Sequence, residues 1–288
     1  MNPALTDLEQ RVSEALTTDD VSAIDVLGYG EISTVLRLTV DGRSYACKRL
    51  PPFPTGAFEP YRRACTEYLA ALGDRGVEIA PSTLETVDRG DEHVVYCIQP
   101  IEDVLLVDRL RSVGAEETAG IAERLTATIT NAIDDRLGLD AQISNWALND
   151  DGTFVYIDVT TPLIRDDTGA EMLDTDLFLA SLPAFLRPIV RRFLLGEILS
   201  HYYDPRAALV DLIGNFKKER LERAIPAFLE AANERVRPPI TRKEVDGYYR
   251  SDALMWEVLQ RLRRADRWWQ RRIRRRGYPF LLPGKVDR

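Results

Sequence analysis

A chain of 288 residues with a formal net charge of −8 is long enough to bury a sizeable core without cross-links, and its acidic balance argues against wholesale adhesion to nucleic acid or anionic membrane. Three cysteines, Cys47, Cys65 and Cys97, are an odd number and widely spaced in apolar or periodic stretches. That excludes a disulfide framework or paired metal ligands and predicts buried thiols in a reducing compartment.

The first residues, MNPALTDLEQRVSEAL, are acidic and amphipathic, without the basic start and apolar core of a signal peptide. No later stretch runs apolar for a membrane span, so a cytoplasmic protein is expected. SAIDVLGYG leads into STVLRLTV, and the dipeptide DG then offers a hairpin turn before RSYACKRL, which predicts three antiparallel strands. PPFPTG breaks the sheet. AFEPYRRACTEYLAAL places Ala64, Glu67, Tyr68 and Leu72 at helical spacing, with Pro60 limiting how early the helix begins. STLETVDRG and EHVVYCIQPI resume strand character, so residues 1–100 read as a small β-rich unit carrying one helix.

From residue 101 the pattern changes. EETAGIAERLTATITNAIDDRL predicts a long amphipathic helix, with Thr118 or a neighbour capping its start. NWALNDDGTFVYID predicts a short hairpin turning at NDDG. Beyond residue 170 the chain reads as mostly helical, punctuated by Pro183, Pro188, Pro205, Pro226 and the pair Pro238 and Pro239. Residues 101–288 therefore form a larger, mainly helical unit.

Several of these segments carry candidate chemistry, and each also has a plain structural reading. Gly28 and Gly30 in LGYGEISTV let the backbone approach a phosphate closely, or simply make a hairpin turn. Lys48 is either a solubility residue of an edge strand or an ammonium facing a cleft, and Ala46 and Leu50 on its face favour the cleft. Ala64 and Ala71 lie one turn either side of Glu67, and a small-residue face packed on the sheet would turn Glu67 toward Lys48 as an ion pair. Asp140, Asn145 and Asp158 would cap a turn, open a strand and end a hairpin, or supply hard oxygen ligands to a cation. His93 and His201 stand at no recognisable catalytic spacing and read as structural, and His and Cys never cluster as zinc requires.

Taken in order, these residues resemble the protein-kinase-like superfamily, closer to its aminoglycoside- and choline-type phosphotransferases than to conventional serine/threonine kinases. GYGEIS resembles the glycine-rich loop, YACKRL the strand bearing the nucleotide lysine, and Glu67 the helical partner of that lysine. The catalytic-loop Asp followed five residues later by Asn is matched by Asp140 and Asn145, and the magnesium-binding Asp by Asp158. The resemblance covers roughly residues 21 to 165.

The resemblance implies an α+β, two-lobed protein-kinase-like fold: a small antiparallel β lobe with one helix, and a larger mainly helical lobe holding the catalytic loop and a basic C-terminal helix. It implies ATP and Mg²⁺ in a cleft between the lobes. Gly28, Gly30, Ser33, Val35 and Ala46 would surround the nucleotide, Lys48 held by Glu67 would meet the α- and β-phosphates, and Gln99 to Glu102, including Ile101, would offer backbone groups to the adenine. Asn145 and Asp158 would hold Mg²⁺, and Asp140 would accept the proton of a hydroxyl-bearing acceptor. There are departures from the family pattern: GLD stands where a His precedes the catalytic Asp, Gln142 follows that Asp by two positions, Val159 and Thr160 follow Asp158, and no APE-like stretch appears. They speak against a conventional serine/threonine kinase and leave room for a kinase of small molecules or specialised peptides, or for a degraded site; a nucleotide-binding scaffold and an AMP transferase on the same fold stay open.

Two stretches leave partners open. RLRRADRWWQRRIRRRGYPF is basic and would suit an anionic partner or nucleic acid, but in an acidic chain it reads first as an amphipathic helix with Leu262, Trp269 and Ile273 against the large lobe. Asp166, Asp167, Glu171, Asp174 and Asp176 would receive a cationic substrate, but read first as a solvated loop.

Overall fold

The computed structural model describes residues 3–18, 20–30, 33–54, 56–90, 92–102, 104–149, 151–179, 182–183, 186–193, 195–275, 278 and 280–281. The fold is mixed α+β, a five-stranded antiparallel sheet joined to a mainly helical part. Strands β1 (Val26–Tyr29), β2 (Thr34–Val40), β3 (Arg43–Pro54), β5 (Thr83–Arg89) and β6 (Glu92–Pro100) lie in the order β1-β2-β3-β6-β5. The expected DG turn joins β2 to β3, with Asp41 and Gly42 both at positive φ (51° and 76°), the backbone a two-residue hairpin needs.

Alternation along these strands gives the sheet two apolar faces. One carries Leu36, Leu38, Cys47, Val87, Val94 and Tyr96 and is covered by helix α1 (Pro3–Thr18), whose Leu5, Leu8, Val12 and Leu16 recur at helical spacing. This helix is a second one in the β-rich half, where one was expected. It is also fixed by a buried polar network: Glu9 accepts from Arg49 at 2.8 and 2.9 Å, from Arg89 at 3.2 Å and from the Tyr96 hydroxyl.

Helix α2 (Phe58–Asp74) crosses the other face. Its Tyr61 and Cys65 pack with Leu50, Phe53 and Val95, while Tyr68 and Leu72 belong to the large core of the helical part. One helix therefore ties the two halves together. The large core is built from α3 (Leu106–Ser112), α4 (Ala115–Ala132), α8 (Pro205–Asn215) and α9 (Ile225–Arg235), with a small sheet in which β8 (Phe154–Tyr156) pairs with both β7 (Trp146–Leu148) and β4 (Glu78–Ile79). The β7–β8 hairpin closes through Gly152 N to Asn149 O and Asn149 N to Thr153 O, at 2.9 and 3.0 Å; Asp150 of the expected turn lies outside the described residues.

Helix α4 begins a turn before Thr118: extended Gly114 is its N-cap, and the Thr118 hydroxyl donates back to Gly114 O at 2.8 Å. Short helices α5 (Thr175–Leu179), α6 (Arg187–Phe193) and α7 (Leu195–Ser200) follow. Asp204 caps α8, accepting from Arg206 N and Ala207 N ahead of Pro205 at the first helical position. The last helix, α10 (Arg242–Arg272), is capped by Thr241 and packs its first turns, through Val245, on α8.

Its second half departs from the expected packing. Gln260 and Arg263 are the buried residues there, Leu262 is half-buried, and Trp269 and Ile273 are exposed. Among the described residues no helix is long and apolar enough to cross a membrane.

Candidate functional site

Register across the sheet aligns Gly28, Val35, Lys48, Cys97 and Leu84 in one row, opposite one another from β1 to β5. Directly paired residues share a face, so Lys48 stands with Ser33, Val35, Ala46 and Gln99 on the side facing α2 and the helical part. There the Lys48 ammonium donates to Asp158 Oδ1 at 2.6 Å, a pair with side chains 17 % and 18 % exposed. Thr160 Oγ1 donates to the same oxygen at 3.3 Å.

Glu67 does not join this pair. It lies on the exposed side of α2, 3.8 Å from Arg63 one turn earlier. The phase of the helix decides this. The residues that seek burial are Tyr61, Ala64, Cys65, Tyr68 and Leu72, and at 3.6 residues per turn Glu67 sits roughly 120° from the centre of their arc. Two tyrosines take the inward positions instead. Tyr61 donates to Thr160 O at 2.8 Å and Tyr68 to Gly138 O at 3.2 Å, both buried, so α2 grips the segments on either side of Asp158 and Asp140 by hydroxyls rather than by a carboxylate.

The loop carrying Asp140 is held at its backbone. Gly138 N donates to Leu163 O at 2.8 Å and Leu139 N to Tyr202 O at 3.1 Å. A Cβ at position 138 would stand 3.1 Å from Tyr202 O and 3.2 Å from Leu163 Cβ, so any larger residue would need those neighbours to give by a few tenths of an ångström. Asp140 Oδ1 accepts from Gln142 N at 3.3 Å, and Asn145 Nδ2 donates to Asp140 O at 3.2 Å. Ile157 N in turn donates to Asn145 O at 2.9 Å, which fastens Asn145 to the strand end that leads to Asp158. Burial raises the hydroxyls of Tyr68 and Tyr156 well above the usual tyrosine range, and the charges of Asp158 and Asp140 both add to it.

This donor set fits a hard cation. With its Nδ2 committed to Asp140 O, the Asn145 amide keeps its oxygen for another partner, and the Ile157 N to Asn145 O bond ties its backbone to the strand end that leads to Asp158. Among the described residues no three His, Cys, Asp or Glu side chains gather as a metal site, so a cation here would depend on the amide oxygen and on non-protein oxygens.

At the turn between β1 and β2, Gly30 N donates to Ser33 O at 2.9 Å, and a Cβ on Gly30 would fall 2.7 Å from Ser33 Oγ. Gly28 faces open space, and Glu31 and Ile32 lie outside the described residues. Gln99 differs from expectation. It lies within β6 opposite Ala46, and its side chain is an inward cross-link, donating to Ser82 Oγ and to Ile157 O, each at 3.0 Å. The exposed connection therefore begins at Ile101, and Ile101, Val104 and Leu105 are apolar side chains left open to solvent there.

Beyond Asp140, Tyr248 of α10 donates to Asp211 Oδ1 of α8 at 2.7 Å. Burial raises the Tyr248 hydroxyl, followed by Asp211 and then, through their charges, by Asp252 and Asp140. Tyr61, Tyr68, Asp211, Tyr248 and Asp252 were not candidates from sequence. For the α2 tyrosines the signal was their seven-residue spacing on the apolar arc, whereas α8 and α10 meet Asp140 only through tertiary packing. Thiol chemistry is disfavoured, because burial pushes Cys97, opposite Lys48, up to about 11, and Cys47 and Cys65 up to about 12.

The model of a family of unknown function, DUF6206, matches residues 7–267 of this chain. No curated protein matches it.

Proposed function

We propose that this chain, which belongs to the DUF6206 family, is an ATP- and Mg²⁺-dependent phosphotransferase of two-lobed, protein-kinase-like architecture that moves a γ-phosphoryl group to a hydroxyl acceptor. The observation that carries the reading is the Lys48–Asp158 pair, a strand lysine and a hairpin-end carboxylate brought to 2.6 Å from 110 residues apart. Beside it lies a loop presenting Asp140 and Asn145. The strand order β1-β2-β3-β6-β5 and a helix between β3 and β5 are in keeping with the same resemblance.

Phosphoryl transfer asks for positioning and charge neutralisation more than for covalent chemistry. Lys48 neutralises nucleotide phosphates and Gly30 lets the β1–β2 turn close over them. Val35, Ala46 and Ile101 offer apolar contact to the base. Asp158 and the Asn145 amide oxygen hold Mg²⁺, whose chemistry is to neutralise charge on the phosphates. Asp140 orients the acceptor hydroxyl and takes its proton. The charges of Asp211, Asp252 and Asp140 all act on Tyr248, and this acidic surrounding suits a cationic acceptor better than an anionic one.

The test is titration of the protein with a non-hydrolysable ATP analogue, with and without Mg²⁺, followed by turnover on amino alcohols and amino sugars. Magnesium-dependent binding lost in Asp158→Asn supports the reading, and wild-type protein that binds no nucleotide removes it. One observation favours a second reading. With Glu67 on the surface, Lys48 lacks the helical partner that active members of the superfamily use, as expected of a nucleotide-binding scaffold. Nucleotide binding without turnover on any acceptor would select the scaffold. Transfer of AMP rather than phosphate would appear as the larger added mass on the acceptor.

A further inference from the structure

The second half of α10 is built the wrong way round for a helix that packs only on its own protein. Gln260 is buried with neither amide atom hydrogen-bonded among the described residues, and Arg263 is buried over the Phe280 ring. The outward side carries Leu254, Met255, Val258, Trp268, Trp269 and Ile273, all between 46 % and 63 % exposed. At 3.6 residues per turn these six fall within an arc of about 140°, an apolar stripe as wide as one that normally faces a core. Residues 250–275 hold nine arginines against three acids, in a chain whose net charge is −8. Exposed Arg264 and Arg275 border one side of the arc, and exposed Arg261 and Arg272 stand within it.

From this arrangement we infer that the outward face of α10 is a docking surface for an anionic lipid bilayer, on which the helix lies flat with its tryptophans in the interfacial region. A stripe of aliphatic side chains and paired tryptophans edged by arginines is the composition of an interfacial helix, with apolar area giving affinity and basic residues giving preference for acidic headgroups. Arginine stems reach along the apolar surface while the guanidinium stays at headgroup level, so Arg261 and Arg272 within the stripe are no obstacle. The alternatives fit less well. Two copies of α10 laid face to face would bring two faces that each carry Arg261, Arg264, Arg272 and Arg275 together, which like charges oppose. A nucleic acid would use the arginines and tryptophans but leave Leu254, Met255, Val258 and Ile273 without a role. The acidic net charge of the whole chain works against general adhesion to membranes, which confines contact to this helix.

The experiment is co-flotation of the full chain with vesicles of phosphatidylcholine alone and of phosphatidylcholine with phosphatidylglycerol, beside Trp268→Gln/Trp269→Gln and Arg261→Gln/Arg264→Gln/Arg275→Gln. The wild type is expected to float with the anionic vesicles and to shift its tryptophan emission to the blue. Each variant should bind roughly tenfold or more weakly, and binding should weaken in about 0.5 M salt. The tryptophan sites are exposed, so the melting temperature of that variant should stay at the wild-type value. No flotation with anionic vesicles would overturn the proposal, as would equal binding to neutral ones or variants that bind like wild type. A dimer in sedimentation, dissolved by the tryptophan variant without any vesicle binding, would assign the face to a second copy instead.

Discussion

The Lys48 ammonium meets Asp158 rather than Glu67, and this sets what single substitutions should do. Asp158→Asn keeps shape and removes the charge shared by Lys48 and a cation, so phosphotransfer is expected to fall by about 10²-fold or more. Glu67→Ala removes only an exposed contact with Arg63, and kcat/KM should stay within about twofold of wild type, since such surface pairs contribute little. A large loss in that variant would mean that α2 turns Glu67 inward during the reaction. Tyr68→Phe deletes the buried bond to Gly138 O, at a cost of about 1 kcal/mol in stability, and should lower kcat more than it raises KM if the bond positions the Asp140 loop. Asp140, Asn145 and Asp158 stood out in the sequence because acids and amides at strand ends are conspicuous against apolar runs. Glu67 misled because alanines at 64 and 71 suggested one helical phase while Tyr61, Cys65, Tyr68 and Leu72 enforce another.

Among the elements, α1 is held to the sheet by contacts of two kinds, apolar burial through Leu5, Leu8, Val12 and Leu16 and a buried network centred on Glu9. Burial raises the Glu9 carboxyl, but the Arg49, Tyr96 and Arg89 contacts outweigh it and hold the group below the ordinary glutamate value of 4.5. A depressed carboxyl contributes its full stability above the unfolded-chain pKa and loses it as pH falls through the folded value. Melting temperature should therefore decline below pH 4.5, and Glu9→Gln should flatten the decline. Glu9→Ala leaves Arg49 buried without its carboxylate and should cost about 3–5 kcal/mol, read from denaturant midpoints. An unchanged midpoint would show that α1 is not part of the cooperative unit. The strands were legible because alternation reports burial directly; α1 reads as amphipathic in the sequence without being counted as a helix, although Leu5, Leu8 and Val12 recur at helical spacing. The outward face of α10 was not legible, because Trp269 and Ile273 obey a helical period that says which residues share a side but not which side meets the protein.

For the whole molecule, the pair on which the proposed nucleotide site rests also bridges sheet and helical part, so on that proposal binding exchanges one set of charges for another. Lys48 satisfies Asp158 at 2.6 Å, and a cation approaching Asp158 alone competes with an ammonium already in place. Mg²⁺ by itself should thus bind weakly to the wild type, while MgATP should bind well, because it brings phosphates to take over Lys48 as the metal takes over Asp158. Lys48→Ala separates the two effects. Removing the ammonium leaves Asp158 in a partly buried setting without its partner, so affinity for Mg²⁺ alone should rise by about tenfold, the equivalent of roughly 1.4 kcal/mol, a fraction of what a close pair near a protein surface contributes. Affinity for the ATP analogue in the presence of Mg²⁺ should fall in the same protein. Isothermal titration of wild type and Lys48→Ala with each ligand measures both numbers. Opposite signs would establish that Lys48 and Asp158 are alternately each other's partner and the ligand's. A parallel loss of both affinities would mean that the pair is a structural strut and that nucleotide, if bound at all, is bound elsewhere.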